Sequence, residues 1–370
     1  MNRREFISGG LTMAAATAVG ATNPLKAPKT PIDKLIWGVR CQLGVGDQCG
    51  ARTPLDPKYH LTGELRAFNE ADFWKWIDLV KATDANTIVM AVMEGMKYPR
   101  RPDIAPDNAI EAGRLHDILK RVREEHGLAT IPELNFSTRH GAWFGVYSRM
   151  VSSPTYYKAV EDVLADVYDV FGHPKYIQYG MDEESNEGLN ASYNVVRLKD
   201  VYWHDNRHVV ETIERLGAQA WCYSDKIWWG AKEFCDNMPK SVLQSNWYYS
   251  SACTVDEIRA LAAKAKDKHL GDLFCGYLRA FEQLEAGGFE QIPTGSYWLD
   301  RLDKAAGYDC KYVAERNFPN VVRHAVRTVD PKRLKGFLLA LWAQTNGPAW
   351  WKERLTPVPL ARQAYGDAET

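Results

Sequence analysis

Short apolar runs alternate along the chain with longer stretches whose apolar residues recur every three or four positions, and few folds accommodate that pattern. A strand buried on both faces reads as an unbroken apolar run, and a helix packed over it shows an apolar stripe. Repeated in turn, the two give a parallel sheet with crossover helices. Strands are expected at Leu35–Val39, Asn86–Val92, Leu128–Leu134, Lys175–Gly180, Ala218–Tyr223, Ser241–Ser245 and Gly336–Trp342. The seventh strand has two candidates, Asp272–Tyr277 and Glu290–Thr294. Helices are expected at Glu70–Thr83, Asn108–His126, Pro154–Phe171, Trp203–Leu216, Val255–Lys268 and near Asn320–Thr328, two of them closed by Gly127 and Gly217.

Eight strands with intervening helices, no linker and no repeat predict a single (β/α)8 TIM barrel over residues 32–370. A doubly wound open sheet is the rival, but no glycine-rich phosphate loop follows the first strand. In a barrel, reactive residues stand just beyond the C-terminal ends of the strands.

Residues 1–31 read as an export signal and tether. Arg3-Arg4-Glu5-Phe6-Ile7 is a twin-arginine pair before an aromatic and an aliphatic residue. A weakly apolar stretch from Gly9 to Val19, a small-residue cleavage site at Val19-Gly20-Ala21 and a loose segment from Pro24 to Pro31 follow. The apolar stretch is too short to span a bilayer, so the mature protein is expected to carry no integral span and to work in the periplasm or beyond. The formal net charge is −1, with lysines and arginines scattered, which disfavours nucleic acid as a partner.

Seven cysteines, at 41, 49, 222, 235, 253, 275 and 310, form no CxxC pair. They are expected to be mostly buried thiols, with Cys41–Cys49 the one bridge considered. No cofactor motif is present and no metal site is expected. Thirteen tryptophans, among them Trp228-Trp229 and Trp350-Trp351, join eighteen tyrosines. Such rings stack on the C–H faces of sugars, although a large aromatic core has the same composition.

Reading the strand ends gathers acids and aromatics on one rim. Arg40 follows the first strand; Glu133, Asn135, Arg139 and His140 follow the third; Asp182-Glu183-Glu184 follow the fourth. Trp221 and Asp225 belong to the fifth, Trp247-Tyr248-Tyr249 to the sixth, and Trp342 with Gln344 to the eighth. Crowded carboxylates raise one another's pKa, so one acid of the row is expected to stay protonated near neutrality, ready to donate to a leaving oxygen. A solvated loop or helix cap is the plainer reading of three acids in a row. Arg40 suits either a sugar hydroxyl or an internal salt bridge. His116, His126, His204 and His208 fall on helices and read as solvated faces.

Several of these segments, in order, resemble the family-20 glycoside hydrolases, the β-N-acetylhexosaminidases. Ile131-Pro132-Glu133-Leu134-Asn135 with His140 resembles that family's "PEID-PGH", and Tyr176 to Glu183 resembles its "HLGGDE". Trp221 to Asp225, Trp247, Tyr297-Trp298-Leu299-Asp300 and Leu341-Trp342-Ala343-Gln344 continue the resemblance. It implies a retaining mechanism in which the substrate's 2-acetamido oxygen is the nucleophile. Asp182 would then orient that group, and Glu183 would serve as acid and base. Trp221, Trp247 and Trp342 would wall the pocket, and Tyr248 or Tyr297 would bond the acetamido oxygen. The sequence departs from the family at Asn135, where it usually has aspartate, at Gln344, where it usually has glutamate, and at Met181, where it has glycine.

The implied partner is a carbohydrate, an oligosaccharide or glycan. Two other readings stand beside this one. An acid near the seventh strand, Glu282, Glu285 or Glu290, would supply a second carboxylate for a glycosidase that needs no acetamido group. A sugar-binding barrel without activity is the other.

Overall fold

The computed structural model describes residues 29–44, 67–184, 195–345 and 347–368. Arg3-Arg4, the Gly9–Val19 stretch, Val19-Gly20-Ala21 and Cys49 lie outside the described residues. The last residues of the expected tether are not loose. Lys29 Nζ bonds the carbonyls of Gly366 and Ala368, Thr30 Oγ1 donates to the Pro331 carbonyl, and the Tyr365 hydroxyl donates to the carbonyl of Thr30.

The strands are β1 (Ile36–Gln42), β2 (Thr87–Ala91), β3 (Ala129–Glu133), β4 (Tyr176–Gln178), β5 (Gln219–Tyr223), β6 (Leu243–Ser245), β7 (Thr294–Ser296) and β8 (Gly336–Gln344). All pair in parallel in the order β6-β5-β4-β3-β2-β1-β8-β7. Bridges between Gln244 and Gln291 and between Trp247 and Thr294 join the two ends, so the sheet closes into a (β/α)8 barrel.

The helices are α1 (Glu70–Lys81), α2 (Ala112–His126), α3 (Pro154–Val170), α4 (Asp200–Leu216), α5 (Ala231–Asn237), α6 (Val255–Ala265), α7 (Lys268–Ala286), α8 (Arg301–Ala305), α9 (Cys310–Thr328), α10 (Pro348–Arg354) and α11 (Pro357–Asp367). Local chemistry sets their ends. Asn69, Ser153, Thr254, Asp267 and Asp309 accept first-turn N–H groups, and Gly127 and Gly217 end α2 and α4 in the left-handed region.

Two sequence expectations are corrected. Asp272–Tyr277 is not a strand but part of α7, which starts afresh after Lys266 turns left-handed behind the shorter α6. The seventh strand is Thr294–Ser296, prefaced by the bridge at Gln291. Helix α9 begins ten residues before Asn320, at Cys310, where the Asp309 side chain accepts the Tyr312 N–H, and it carries Pro319 in its interior.

Strand alternation sorts the barrel into layers. Trp37, Val39 and Cys41 face the helices, within the main core. Inside the barrel, Val89, Ile131, Tyr176, Trp221, Leu243, Ile292 and Leu338, with Ile36 packed against them, give one apolar side chain per strand and form a floor. Above that floor the interior turns polar.

Candidate active site

The first polar layer is a buried ion pair. Arg40 from β1 meets Glu133 from β3 with Nε 2.8 Å from Oε2 and Nη2 2.9 Å from Oε1, and Trp342 covers the guanidinium at 4.0 Å. Both charges are fully buried. Arg40 therefore takes the salt-bridge alternative, and neither it nor Glu133 is a surface for sugar hydroxyls. Trp221 is also corrected: it lies in the floor, its indole N–H bonded to Ser245 Oγ at 2.7 Å, and walls no pocket.

The acids lie one layer higher, where the chain leaves β4. Gly180, Met181 and Glu183 all have positive φ, at 71°, 70° and 56°. At Gly180 a Cβ would lie 2.3 Å from the Asn135 amide, so only glycine lets that amide close over the turn. Asn135 then takes both sides of the turn: its Oδ1 accepts the Met181 N–H at 3.2 Å, and its Nδ2 donates to Asp182 Oδ1 at 2.7 Å. Asp225, beyond β5, accepts the Glu183 N–H at 2.8 Å through Oδ2, while its Oδ1 is buried with no hydrogen-bond partner among the described residues.

Glu183 reaches the open mouth, with 39% of its side chain exposed. Arg139 Nε lies 2.8 Å from its Oε2, and His140 Nε2 lies 3.3 Å from that oxygen and 3.5 Å from Asp182 Oδ2. Glu184, the third acid of the row, turns away. Its carboxylate is buried on Arg197 at 2.6 Å, and Arg197 also meets Asp205 of α4 at 3.0 Å, so this network ties the exit of β4 to α4 rather than facing the mouth.

Charge follows from these surroundings. Burial pushes the Asp182 carboxyl up, and His140 opposes it. Burial, reinforced by Asp182, pushes Asp225 up to about 8. Burial acts in the same sense on Glu183, but His140 and Arg139 outweigh it and hold the carboxylate at about 2. Asp225, outside the Asp182–Glu184 row, is thus an acid that keeps its proton near neutrality, and burial works in the same direction on Asp182 within the row.

Aromatic rings rise from β6 and the loop after β5. Trp247 stacks on Tyr249 at 5.1 Å and meets the edge of Trp228 at 4.4 Å, and Trp228 stacks on Tyr277 at 3.8 Å. Tyr249 lies close enough to the acids for Asp182 to raise its phenol further, beyond the effect of burial. Both tyrosines expected to face the substrate are elsewhere. Tyr248 donates to the Ala252 carbonyl at 2.6 Å within an outer cluster, and the Tyr297 hydroxyl donates to Glu353 at 2.8 Å. The alternation that separates Tyr248 from Trp247 and Tyr249 was the available signal.

Trp342 and Gln344 stand half-buried at the end of β8, and Gln344 Nε2 donates to the Leu43 carbonyl at 2.8 Å. Tyr223, Arg139 and Asp300 complete the mouth, and of these only Tyr223 was not among the strand-end and motif residues read from the sequence. Tyr223 lies 6.4 Å from Trp342 and 3.5 Å from Glu133, and burial raises the Asp300 carboxyl, with Glu183 adding to it. The mouth thus gathers Asn135, His140, Asp182, Glu183, Asp225, Trp247 and Trp342. Cys41 is buried with a free thiol. No cluster of three or more potential metal ligands occurs among the described residues, and no described helix is long and apolar enough to cross a membrane.

No protein-family model matches the sequence, and no curated protein does. Solved structures share the architecture. A family-138 glycoside hydrolase targeting pectin rhamnogalacturonan II aligns with a TM-score of 0.52 at 8% identity, over 91% of this chain and 49% of that one. A family-5 xyloglucanase from Paenibacillus pabuli gives 0.49 at 12%, over 90% and 99%. A chitobiase from Flavobacterium johnsoniae gives 0.42 at 13%, over 80% and 50%. The chain spans about half the length of the chitobiase and of the pectin-targeting enzyme. At 8% identity the likeness to the pectin-targeting enzyme speaks for the barrel fold alone.

Proposed function

We propose that the protein is an exported glycoside hydrolase working at the mouth of the barrel. Its substrate in this reading is a glycan ending in a β-linked N-acetylhexosamine or a related sugar, cleaved with retention through the sugar's own 2-acetamido group. The observation that carries it is the pairing of Asp182, oriented by Asn135 at 2.7 Å, with Glu183 beside it at the open mouth. The family-138 enzyme whose fold the chain shares targets a polysaccharide, which fits this class. The Arg3-Arg4 motif supports export.

Asp182 in this scheme bonds the acetamido N–H and stabilises the positive charge that develops as the acetamido oxygen attacks the anomeric carbon. Glu183 protonates the departing oxygen, then takes a proton from the water that opens the cyclic intermediate. At rest Glu183 is ionised, so it must gain its proton on binding. Burial is already the largest influence raising its pKa, and a sugar seated over the mouth deepens that burial. The proton has a source in Asp225 and Asp182, and His140 Nε2 faces both Asp182 and Glu183 to pass it across.

The two-carboxylate alternative loses the acids it relied on. Glu282 is exposed on α7, Glu285 on the same helix pairs with Arg333, and Glu290 pairs with Lys335 at 2.8 Å beside the start of β8, at the opposite end of the barrel. A thiazoline mimic of the cyclic intermediate should inhibit the wild type and bind the Asp182→Asn variant poorly. A covalent adduct from a 2-deoxy-2-fluoro glycoside, mapped to any enzyme carboxylate, would overturn substrate assistance.

A further inference from the structure

Among the described residues, exposed large apolar side chains are confined almost wholly to one face. Of the ten large hydrophobic side chains exposed among the described residues, only Leu360 does not belong to a segment that follows a strand toward the next helix or opens that helix. The tryptophans divide sharply. All thirteen are described, and the three that are exposed are Trp229 (49%), Trp298 (58%) and Trp350 (42%), which follow β5, β7 and β8. Isolated exposed side chains need no explanation, but three exposed indoles on one rim are another matter.

Trp229 stands next in sequence to an aromatic chain that reaches the acids. It adjoins Trp228, which stacks on Tyr277 and meets Trp247, which in turn stacks on Tyr249 against the acids. The ring contacts run from Tyr249 beside the acids to Trp228, and Trp229 is exposed one residue beyond. Trp298 stands two residues before Asp300, whose carboxyl feels the charge of Glu183. Trp350 is braced by Arg354 at 3.7 Å and by Trp351, which presents its ring rather than letting it fold inward.

We infer that the mouth continues on its β5–β8 side into a glycan-binding track, in which Trp229, Trp298 and Trp350 stack on sugar rings beyond the one held at Asp182. The inference rests on the glycosidase reading and names its substrate as a polymeric or oligomeric glycan rather than a monosaccharide conjugate. Flat indole faces suit the C–H faces of pyranose rings, and each ring lost should weaken chain binding about tenfold.

The test uses the full mature chain with the Asp182→Asn change, which slows turnover and leaves the three rim tryptophans in place. Affinity electrophoresis through gels containing glycol chitin, xyloglucan, mixed-linkage β-glucan or pectin should show retardation by at least one polymer. That retardation should fall at least tenfold in apparent affinity when Trp229→Ala and Trp298→Ala are added. Circular dichroism checks that the exposed substitutions leave the fold unchanged. Retardation by none of the polymers, or retardation that survives both substitutions, would overturn the track. Retardation lost with the tryptophans, in a protein whose wild type cleaves none of the polymers, would leave the track standing and remove the glycosidase reading instead.

Discussion

Asp225 receives one backbone N–H, from Glu183, and its other carboxylate oxygen meets no donor among the described residues. A buried acid so poorly solvated keeps its proton, at about 8 against an ordinary 3.8. Between those values the folded protein holds a proton that the unfolded chain has released, so stability falls as pH rises through that window. Asp182, also raised, acts in the same sense. Glu183 acts oppositely, but its stabilising effect is lost only as pH falls from its ordinary 4.5 to about 2, below the window. Buried His324, held down at about 4 against an ordinary 6.5, acts the other way below pH 6.5, so the melting temperature of the wild type should decline from pH 6.5 to pH 8, and Asp225→Asn should flatten that decline. Parallel declines in the two proteins would refute the assignment of the proton to Asp225. None of this was legible in sequence, where Asp225 is one more acid beyond a strand. Its distinction comes from what surrounds it, and adjacency in sequence even misleads, since Glu184 turns out to serve Arg197.

At the level of elements, the strands with long apolar runs were readable because burial on both faces leaves an unambiguous signature. The seventh was not, because β7 is three residues long and includes a glycine, while the apolar run before it belongs to α7. Roles at strand ends failed where a single residue decides the face: Trp221 lies in the floor, one step of the alternation below Tyr223, and Tyr248 points outward between Trp247 and Tyr249. The exit from β4 is the element on which the acids depend most. Replacing Gly180 by alanine puts a Cβ against Asn135 at a φ of 71°, costing more than about 1 kcal/mol from the left-handed backbone alone. The variant should melt lower and lose turnover together, because Asn135 is the residue that orients Asp182. Denaturant midpoints equal to the wild type would contradict the tight closure of that turn.

Taken whole, the molecule is a barrel whose interior changes from an apolar floor, through the Arg40–Glu133 pair, to an acid-bearing mouth walled by aromatics. The fold was legible because alternation and length together leave little else, whereas the internal layering depends on register, which local pattern does not carry. The proposed export belongs to the scale of the whole chain as well. With Arg3-Arg4 as its signal, changing both to lysine should retain folded protein in the cytoplasm, and normal export of that variant would remove the signal reading. The most direct test of the mouth as a catalytic centre is hydrolysis of a panel of aryl glycosides, with and without a 2-acetamido group. The purified mature protein should cleave at least one acetamido glycoside, and Asp182→Asn should lower kcat by about 10²-fold, the usual cost of one electrostatic stabiliser. A wild type that cleaves no member of the panel, or an Asp182→Asn variant as active as the wild type, would contradict it.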